Sequence, residues 1–240
     1  MRSYLKRVAQ VFAENVGEHL SEYTFVFPNH RAGIFFRKYL GQSLDRPIFS
    51  PEIMTINDCF GSLSDLYIAD QLSLLVRLYD LYKELRPTAE PIEKFLHWGR
   101  MMLADFSEID NHLVSNVEAL YEAIEDMHDI DAHFLSLTDE QRKAIERFWG
   151  EFYSSMNRNN SGMHGKFLST WQLLYPLYVG LRDSLLQDNL AYEGLLHRQV
   201  IETWTSIPSE RFKNHYVFIG FNALTESERQ LMLLLRDRGC

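Results

Sequence analysis

The strongest constraint on the fold is that two strand–turn–helix segments stand at opposite ends of a 240-residue chain. Residues 24–27 (TFVF) are β-branched and aromatic, which predicts a buried strand, and a helical pattern follows over 33–40. Residues 215–219 (HYVFI) predict a second buried strand, followed by a helix over 226–238. Strands that alternate with helices are typical of parallel sheets, so we expect an α/β fold.

The long segment between these two ends has a different pattern of apolar residues. From Ala69 to about Trp204, apolar residues recur at helical spacing and no strand pattern interrupts them. We therefore expect an all-helical inserted subdomain at 67–205, within an α/β domain made of 1–66 and 206–240. The predicted helices of the insertion span 72–86, 92–106, 113–124, 138–152, 167–186 and 191–204.

Local signals mark the start of two helices outside the insertion. Thr55 precedes Asp58 by three residues, and Thr225 precedes Glu228 by three, which is the spacing of a capping box. A further amphipathic helix is predicted over 4–17 from its apolar spacing. The chain stops directly after the helix that Thr225 begins, where an α/β sheet would normally continue with another strand. We therefore expect a fragment of a longer protein.

Composition narrows the class of protein. The net charge is −9 and the isoelectric point is about 5.5, which argues against a free-standing, strongly basic nucleic-acid binder but leaves room for a local basic site. The two cysteines, Cys59 and Cys240, are far apart and suit a reducing compartment. The N-terminal residues show no signal-peptide hydrophobic region and the sequence has no apolar run of membrane-spanning length, so we expect a cytoplasmic protein without a membrane partner.

The turn after the first predicted strand is the first candidate site. Asn29, His30 and Arg31 lie where a strand ends and a helix begins, and ligands of open α/β sheets bind at that edge. Free N–H groups of a helix N-terminus favour anions, and Arg31, Arg37 and Lys38 supply cations for a nucleic-acid backbone. The alternative interpretation is that Asn29 only caps the helix and Arg31 is solvated.

A nucleotide site is not expected. The chain has no Walker A pattern, so both the glycine-rich phosphate loop and its lysine are missing. The strand that ends at Ile219 is followed by Gly220 and Phe221 rather than by acidic residues that would hold Mg²⁺. We therefore expect no cofactor and no nucleotide hydrolysis in this segment.

Two acidic segments allow a functional and a structural interpretation. Residues 128–133 (HDIDAH) contain four metal-ligating side chains, but their alternating spacing suits a polar connection between helices equally well. Asp105, Glu108 and Asp110 suit a polar helix end, or a paired-carboxylate site whose partners the sequence does not identify.

Aromatic residues of the predicted insertion also allow two interpretations. They form its core, or they stack on single-stranded bases. Cys59 has no activating base nearby in sequence, which favours a buried thiol over a nucleophile. The aromatic residues in question are Trp98, Trp149, Trp171, Tyr175 and Tyr178.

Several segments, taken in order, resemble the N-terminal region of a PD-(D/E)XK nuclease family. Its members are large proteins similar to the B subunit of AddAB-type helicase–nucleases, which process double-strand DNA breaks. Each motif is modest alone, and the specificity lies in their order along nearly the whole chain. The segments are FVFPNHRAGIFFRKYL, SPEIMTINDCF, FLHWGRMMLADFSEID, LAYEGLLHR and HYVFIGFNALTESE.

The resemblance implies a superfamily 1 helicase-like first domain, with a partial P-loop-NTPase-like parallel sheet and an inserted helical subdomain. VFPNHRA occupies the position of helicase motif Ia, which contacts the backbone of single-stranded DNA. Thr55, in the segment SPEIMTINDCF, is included with the residues of that turn as a candidate DNA contact. The candidate DNA-binding residues are therefore Asn29, His30, Arg31, Arg37, Lys38 and Thr55.

The sequence departs from the family pattern at the nucleotide site. VFIGFN occupies the Walker B position, where Ile219 stands in place of an aspartate and Gly220 and Phe221 are retained. The strand and phosphate loop that would precede motif Ia are missing, and the nuclease motif would lie downstream. The resemblance thus implies a non-catalytic, helicase-like N-terminal domain of a double-strand-break repair exonuclease, which supplies scaffold and single-stranded DNA contacts.

A second interpretation comes from the insertion. It would be a helical protein-interaction module that docks a partner helicase subunit or the downstream nuclease domain, and the acidic charge of the chain suits such a role. The expected partners are therefore DNA, the nuclease domain of the same protein and a partner helicase.

Overall fold

The computed structural model describes residues 4–86, 88–122 and 173–240. The chain is mixed α/β, mostly helical, with a small parallel sheet, so the predicted α/β class is confirmed. In chain order the elements are α1 (Tyr4–Asn15), a 3-10 helix (Gly17–Glu22), β1 (Tyr23–Phe27), α2 (His30–Ser43), β2 (Glu52–Thr55), α3 (Ile56–Ser62), β3 (Tyr67–Ile68), α4 (Gln71–Leu85), α5 (Ile92–Asn111), α6 (Val117–Glu122), α7 (Leu174–Gln187), β4 (Leu190–Ala191), α8 (Glu193–Glu202), two 3-10 turns (Trp204–Ser206 and Ser209–Arg211), β5 (His215–Phe218) and α9 (Glu226–Arg238).

Two compact units make up the chain. The sheet unit comprises Met1–Asp65 and Leu196–Cys240, and the helical unit comprises Leu66–Leu195. Their second boundary falls inside α8, N-terminal to the boundary at 205–206 that the sequence suggests. That these parts are a helicase-like domain and its insertion stays a prediction.

The sheet of the first unit has three parallel strands in the order β2-β1-β5. Phe27 of β1 lies beside Thr55 of β2, and Val26 lies beside Phe218 of β5. The central strand is buried over residues 24–27, as its sequence predicts. The prediction of a buried strand over 215–219 is wrong for residues 215–218, although Ile219 is buried. His215 is exposed and the rest of β5 is half-buried, because among the described strands it pairs only with β1.

Aromatic rings on β1 and α2 form the centre of the sheet unit. The ring centroid of Phe36 lies 4.7 Å from that of Phe25 and 5.2 Å from that of Phe27. Gly33 allows α2 to lie close to the sheet, since a Cβ there would be 3.0 Å from a methyl carbon of Ile53. The apolar face of α1 packs against this cluster, which confirms its predicted amphipathic character. Helix α1 ends at Asn15 rather than at residue 17.

Both predicted capping boxes are present. The hydroxyl oxygen of Thr55 accepts from the backbone N–H of Asp58, and Thr225 accepts from that of Glu228. In each case the acidic side chain accepts in return from the backbone N–H of the threonine. Such reciprocal bonds satisfy donors that a helix N-terminus leaves unpaired, so these starts are set locally.

The helical unit departs from its prediction in two places. The segment predicted to be all-helical contains two short strands, because Tyr67 and Ile68 of β3 pair in parallel with Leu190 and Ala191 of β4. A two-residue strand is too short to produce a period in the sequence. The helix predicted over 113–124 begins at Val117, since Leu113 has a positive φ of 51°. Its predicted end and the helix over 138–152 lie outside the described residues.

None of the helices that the structure describes is long and apolar enough to cross a membrane.

Candidate nucleic-acid interface

The ends of three parallel strands bring the candidate residues of the sheet unit to one edge. Because Phe27 is registered with Thr55 and Val26 with Phe218, the turns that follow β1, β2 and β5 are neighbours. We call this the carboxyl edge. It carries the Asn29–Arg31 turn, Thr55 and the Gly220–Phe221 turn, and it is the edge at which open α/β sheets bind ligands.

Asn29 caps helix α2. Its backbone is extended, with φ −156° and ψ 158°, and its side-chain oxygen accepts from the N–H of Ala32 at 3.0 Å. Asn29 therefore caps the helix, and a contact between Asn29 and DNA stays a prediction. The helix begins at His30, and both His30 and Arg31 are exposed in its first turn. The N-terminal end of the helix dipole therefore opens onto the carboxyl edge.

Arg31 is an exposed cation on a helix without acidic residues. The 14-residue sequence of α2, HRAGIFFRKYLGQS, contains three basic residues and one histidine but no aspartate or glutamate. The guanidinium carbon of Arg31 lies 5.9 Å from the ring centroid of Phe35. Within the described part of the chain, no carboxylate forms an ion pair with Arg31 or Lys38. Their charges are thus available to an anion.

The structure separates Arg37 from the other two cations. Lys38 lies about 20° from Arg31 around the helix axis, whereas Arg37 lies about 120° away. Arg37 instead lines a surface groove of about 450 Å³ between α2 and the segment that follows it. Arg31 at the carboxyl edge and Lys38 about two turns further along α2 therefore form a pair on one face of the helix, and Arg37 is not part of it. The other residues lining the groove are Leu40, Gly41, Leu44, Asp45, Arg46, Pro47, Ile48, Ser50 and Pro51.

Thr55 is committed to the start of α3. It is buried, and its hydroxyl donates to the carboxylate of Asp58 at 2.7 Å. Burial by itself would raise the pKa of Asp58, but the hydrogen bonds from Thr55 and the nearby charge of His30 lower it overall. The structure thus gives Thr55 a capping role, and a contact between Thr55 and DNA stays a prediction.

Ile219 faces the core rather than the carboxyl edge. It is 3% exposed and belongs to the cluster formed by Phe25, Phe27 and Phe36. Its N–H donates to the carbonyl of Val26 at 3.0 Å, which extends the β1–β5 ladder by one residue. At the next position Gly220 has a φ of 85°, a left-handed conformation that favours glycine. The position that the resemblance assigns to an aspartate is therefore an apolar core position here.

Phe221 continues the aromatic series of β5. Its ring lies 6.0 Å from that of Phe218 in an edge-to-face arrangement, and it is half-buried. It lies at the carboxyl edge but contributes no charge to it.

Asp110 in the helical unit is a buried carboxylate whose hydrogen-bond partners the sequence does not reveal. It is completely buried, and its two carboxylate oxygens accept from the hydroxyls of Tyr178 and Tyr192, each at 2.5 Å. Asp110 lies in the last turn of α5, which ends at Asn111, but it follows Phe106 by four residues and so lies on the buried face. That spacing was the available signal, because an acidic residue on an apolar face needs buried partners.

The remaining candidates are structural or lie outside the described residues. Tyr178 is in the core of the helical unit as predicted, whereas Trp98 and Tyr175 are half-buried. Cys59 is buried, which confirms the predicted buried thiol, and burial raises the pKa of that thiol to about 12. Among the residues described, no group of three metal-ligating side chains is present. The segment 128–133, Trp149 and Trp171 lie outside the described ranges.

Comparison with protein-family models, with curated proteins and with solved structures finds no match to the chain. The family resemblance noted in the sequence therefore stays a hypothesis.

Proposed function

We propose that this chain is the non-catalytic, helicase-like N-terminal region of a double-strand-break repair exonuclease, similar to the B subunit of AddAB-type helicase–nucleases. The sheet unit is a degenerate superfamily 1-like ATPase domain, and its carboxyl edge contacts the backbone of single-stranded DNA. The observation that carries the proposal is the exposed pair Arg31 and Lys38, on an acid-free helix that begins at this edge.

Charge supports a local DNA contact in a chain whose net charge is −9. Phosphate contacts from lysine and arginine supply most of the affinity in sequence-independent DNA binding, and a few suffice to position a strand. Acidic side chains elsewhere repel DNA, which restricts binding to the face where cations lack a carboxylate partner. The contact is expected to be weak, salt-dependent and insensitive to base sequence.

The burial of the Ile219 side chain supports a non-catalytic role. A carboxylate that holds Mg²⁺ must face the nucleotide, whereas this side chain is packed among phenylalanine rings. The sequence also lacks a phosphate loop. Calorimetric titration with ATP and Mg²⁺ is expected to give no heat of binding, and micromolar affinity would contradict a degenerate site.

The DNA contact is tested by fluorescence anisotropy with a labelled single-stranded oligonucleotide at low and moderate salt. Arg31→Ala and Lys38→Ala are each expected to weaken binding several-fold. Each should also reduce the slope of log K against log salt by about 0.7, the value for one phosphate contact to a single strand. Arg236→Ala is the matched control, because it removes the same charge from an exposed arginine that is already paired with Asp237.

Two results would contradict the proposal. The first is the absence of binding by the wild-type chain at low salt. The second is an equal loss of affinity in Arg31→Ala and Arg236→Ala, because that would indicate a response to net charge rather than a site.

A second candidate function rests on an apolar stripe of the helical unit. Leu72 and Val76 lie one turn apart on α4 and are 65% and 41% exposed, and Ile68 of the preceding strand β3 is 55% exposed. Such a stripe suits an apolar protein surface, here the downstream nuclease domain or a partner helicase subunit. Leu72→Asp is expected to abolish binding to that separately purified protein while leaving DNA binding by the sheet unit unchanged. Loss of DNA binding in Leu72→Asp would exclude this division of roles.

A further inference from the structure

The exposed side of α2 carries a row of flat groups. The rings of Phe35 and Tyr39 are nearly parallel, with centroids 6.3 Å apart and 27° between their planes. The guanidinium of Arg31 lies above the Phe35 ring at 5.9 Å. Residues four apart lie on the same side of a helix, so Arg31, Phe35 and Tyr39 form a continuous row. We call this row the aromatic ledge.

The ledge is anchored at one end and exposed at the other. Tyr39 packs against the core cluster of the sheet unit. Phe35 is 39% exposed, and Ile34 beside it is 65% exposed. The opposite side of α2 is buried through Gly33, Phe36 and Leu40. A partly exposed aromatic ring is therefore held at the surface by a helix that is itself fixed to the sheet.

Cations flank the exposed ring on both sides. Arg31 precedes Phe35 by about 6 Å along the helix axis, and Lys38 follows it by about 4.5 Å. An apolar protein partner would have to desolvate both charges, whereas a nucleic acid supplies a phosphate for each charge and a flat base for the ring. Charge complementarity therefore selects a nucleic acid as the occupant.

We infer that the aromatic ledge stacks a base of single-stranded nucleic acid while Arg31 and Lys38 hold the adjacent phosphates. The inference rests on the proposed function and extends it from backbone contact to recognition of the unpaired state. The bases of a duplex already stack on one another, whereas those of a single strand are free to stack on Phe35. Stacking is tolerant of base identity, so the ledge distinguishes single strands from duplexes without reading sequence.

The experiment compares two labelled oligonucleotides of equal length, one of thymidines and one whose central residues are abasic. Both keep every phosphate, so a difference in their affinity reports base contact. The wild-type chain is expected to bind the thymidine strand about 10-fold more tightly than the abasic strand. Phe35→Leu is expected to bind both equally, with an unchanged salt slope. Phe49→Leu is the matched control, because Phe49 is an exposed phenylalanine of the same unit outside the ledge, and it should keep the 10-fold preference.

A 2-aminopurine placed in the strand gives a second readout. Its fluorescence is expected to fall on binding to the wild-type chain and to Phe49→Leu but not on binding to Phe35→Leu. Circular dichroism checks that each variant is folded.

The outcomes separate this inference from the function on which it rests. Binding that depends on Arg31, but is equal for the abasic strand or unchanged in Phe35→Leu, overturns base stacking and leaves the backbone contact standing. Equal affinity for a single strand and a duplex of the same length also overturns it. Absence of binding to either oligonucleotide overturns both the inference and the proposed function.

Discussion

Arg31 and Lys38 in the sheet unit are exposed and form no ion pair with the described residues, whereas Asp110 in the helical unit is completely buried and accepts from two tyrosine hydroxyls. A buried carboxylate must be satisfied inside the protein, so it contributes to folding and is unavailable to a ligand. An exposed cation without a partner contributes little to folding and is available to an anion. The comparison predicts opposite effects of substitution on stability and on binding.

The largest effect on stability is expected at Asp110. In Asp110→Leu the hydroxyls of Tyr178 and Tyr192 lose their acceptor in the core, which should lower the free energy of unfolding by about 3–5 kcal/mol. Urea unfolding measures the loss. Asp80→Leu removes an exposed carboxylate from the same unit and is expected to change stability by less than about 0.5 kcal/mol. Similar losses of unfolding free energy in Asp110→Leu and Asp80→Leu would contradict the expected difference between a buried and an exposed charge.

A buried histidine should produce a pH dependence of the sheet unit. The ring of His197 stacks on Phe60 with centroids 3.8 Å apart, and burial lowers its pKa to about 4. The unfolded chain, with a pKa near 6.5, takes up the proton first as the pH falls. The contribution of the neutral His197 ring to the free energy of unfolding is therefore complete above about pH 6.5. It is lost as the pH falls toward 4, and the total loss is about 3 kcal/mol.

His197→Phe tests this pH dependence. The variant is expected to keep the stacked ring and to lose the histidine part of the decline in unfolding free energy between pH 7 and pH 4. His19→Gln is the control, since the exposed His19 has its pKa raised by a hydrogen bond to Glu22. The stabilisation from protonated His19 depends on pH in the opposite direction to that from His197, because it is present at low pH and lost as the pH rises. An identical pH profile for wild type and His197→Phe would refute the assignment.

Backbone packing of the helical unit gives a smaller effect. Gly194 at the start of α8 donates its N–H to the hydroxyl of Ser107 at 3.0 Å, and a Cβ there would lie 2.7 Å from the Cα of Ser107. Gly194→Ala is expected to cost about 2–3 kcal/mol in urea unfolding, because one backbone must move away from the other. Gly180→Ala, where the added Cβ meets Leu81 at 3.5 Å, should instead stabilise α7 by about 0.5–1 kcal/mol. Equal changes in unfolding free energy for Gly194→Ala and Gly180→Ala would contradict the close approach of the Gly194 and Ser107 backbones.

The smallest effect on stability is expected at the cations of α2. Arg31→Ala and Lys38→Ala should each change the free energy of unfolding by no more than about 0.5 kcal/mol, although both weaken DNA binding. Parallel urea and anisotropy measurements on the same preparations check this separation. A stability loss as large as that of Asp110→Leu would show that these cations serve the fold and would remove the distinction between the two regions.

Features that depend on neighbours in sequence were predicted correctly. The capping boxes at Thr55 and Thr225 act over three residues, and the apolar face of α1 depends only on helical spacing. The capping role of Asn29 belongs to the same class. Each of these signals is complete within about one or two helical turns, so no tertiary information was needed.

Features that depend on distant residues were missed. Strand β4 exists only because β3 pairs with it, and a two-residue strand leaves no pattern in the sequence. Asp110 finds its partners 68 and 82 residues away in Tyr178 and Tyr192. Ile219 was recognised as a departure from an acidic position, but its place in the phenylalanine core required the packed structure.

The sequence by itself determined the α/β class, the helix starts, the turn after β1 and the lack of a phosphate loop. These are properties of local spacing and residue type. Only the tertiary structure decided that β1 is the central strand, that three turns meet at one edge, and that Arg37 lines a groove with the segment that follows α2. The physical reason is that burial and ligand geometry depend on which surfaces pack together, and that choice is made by contacts between residues far apart in the chain.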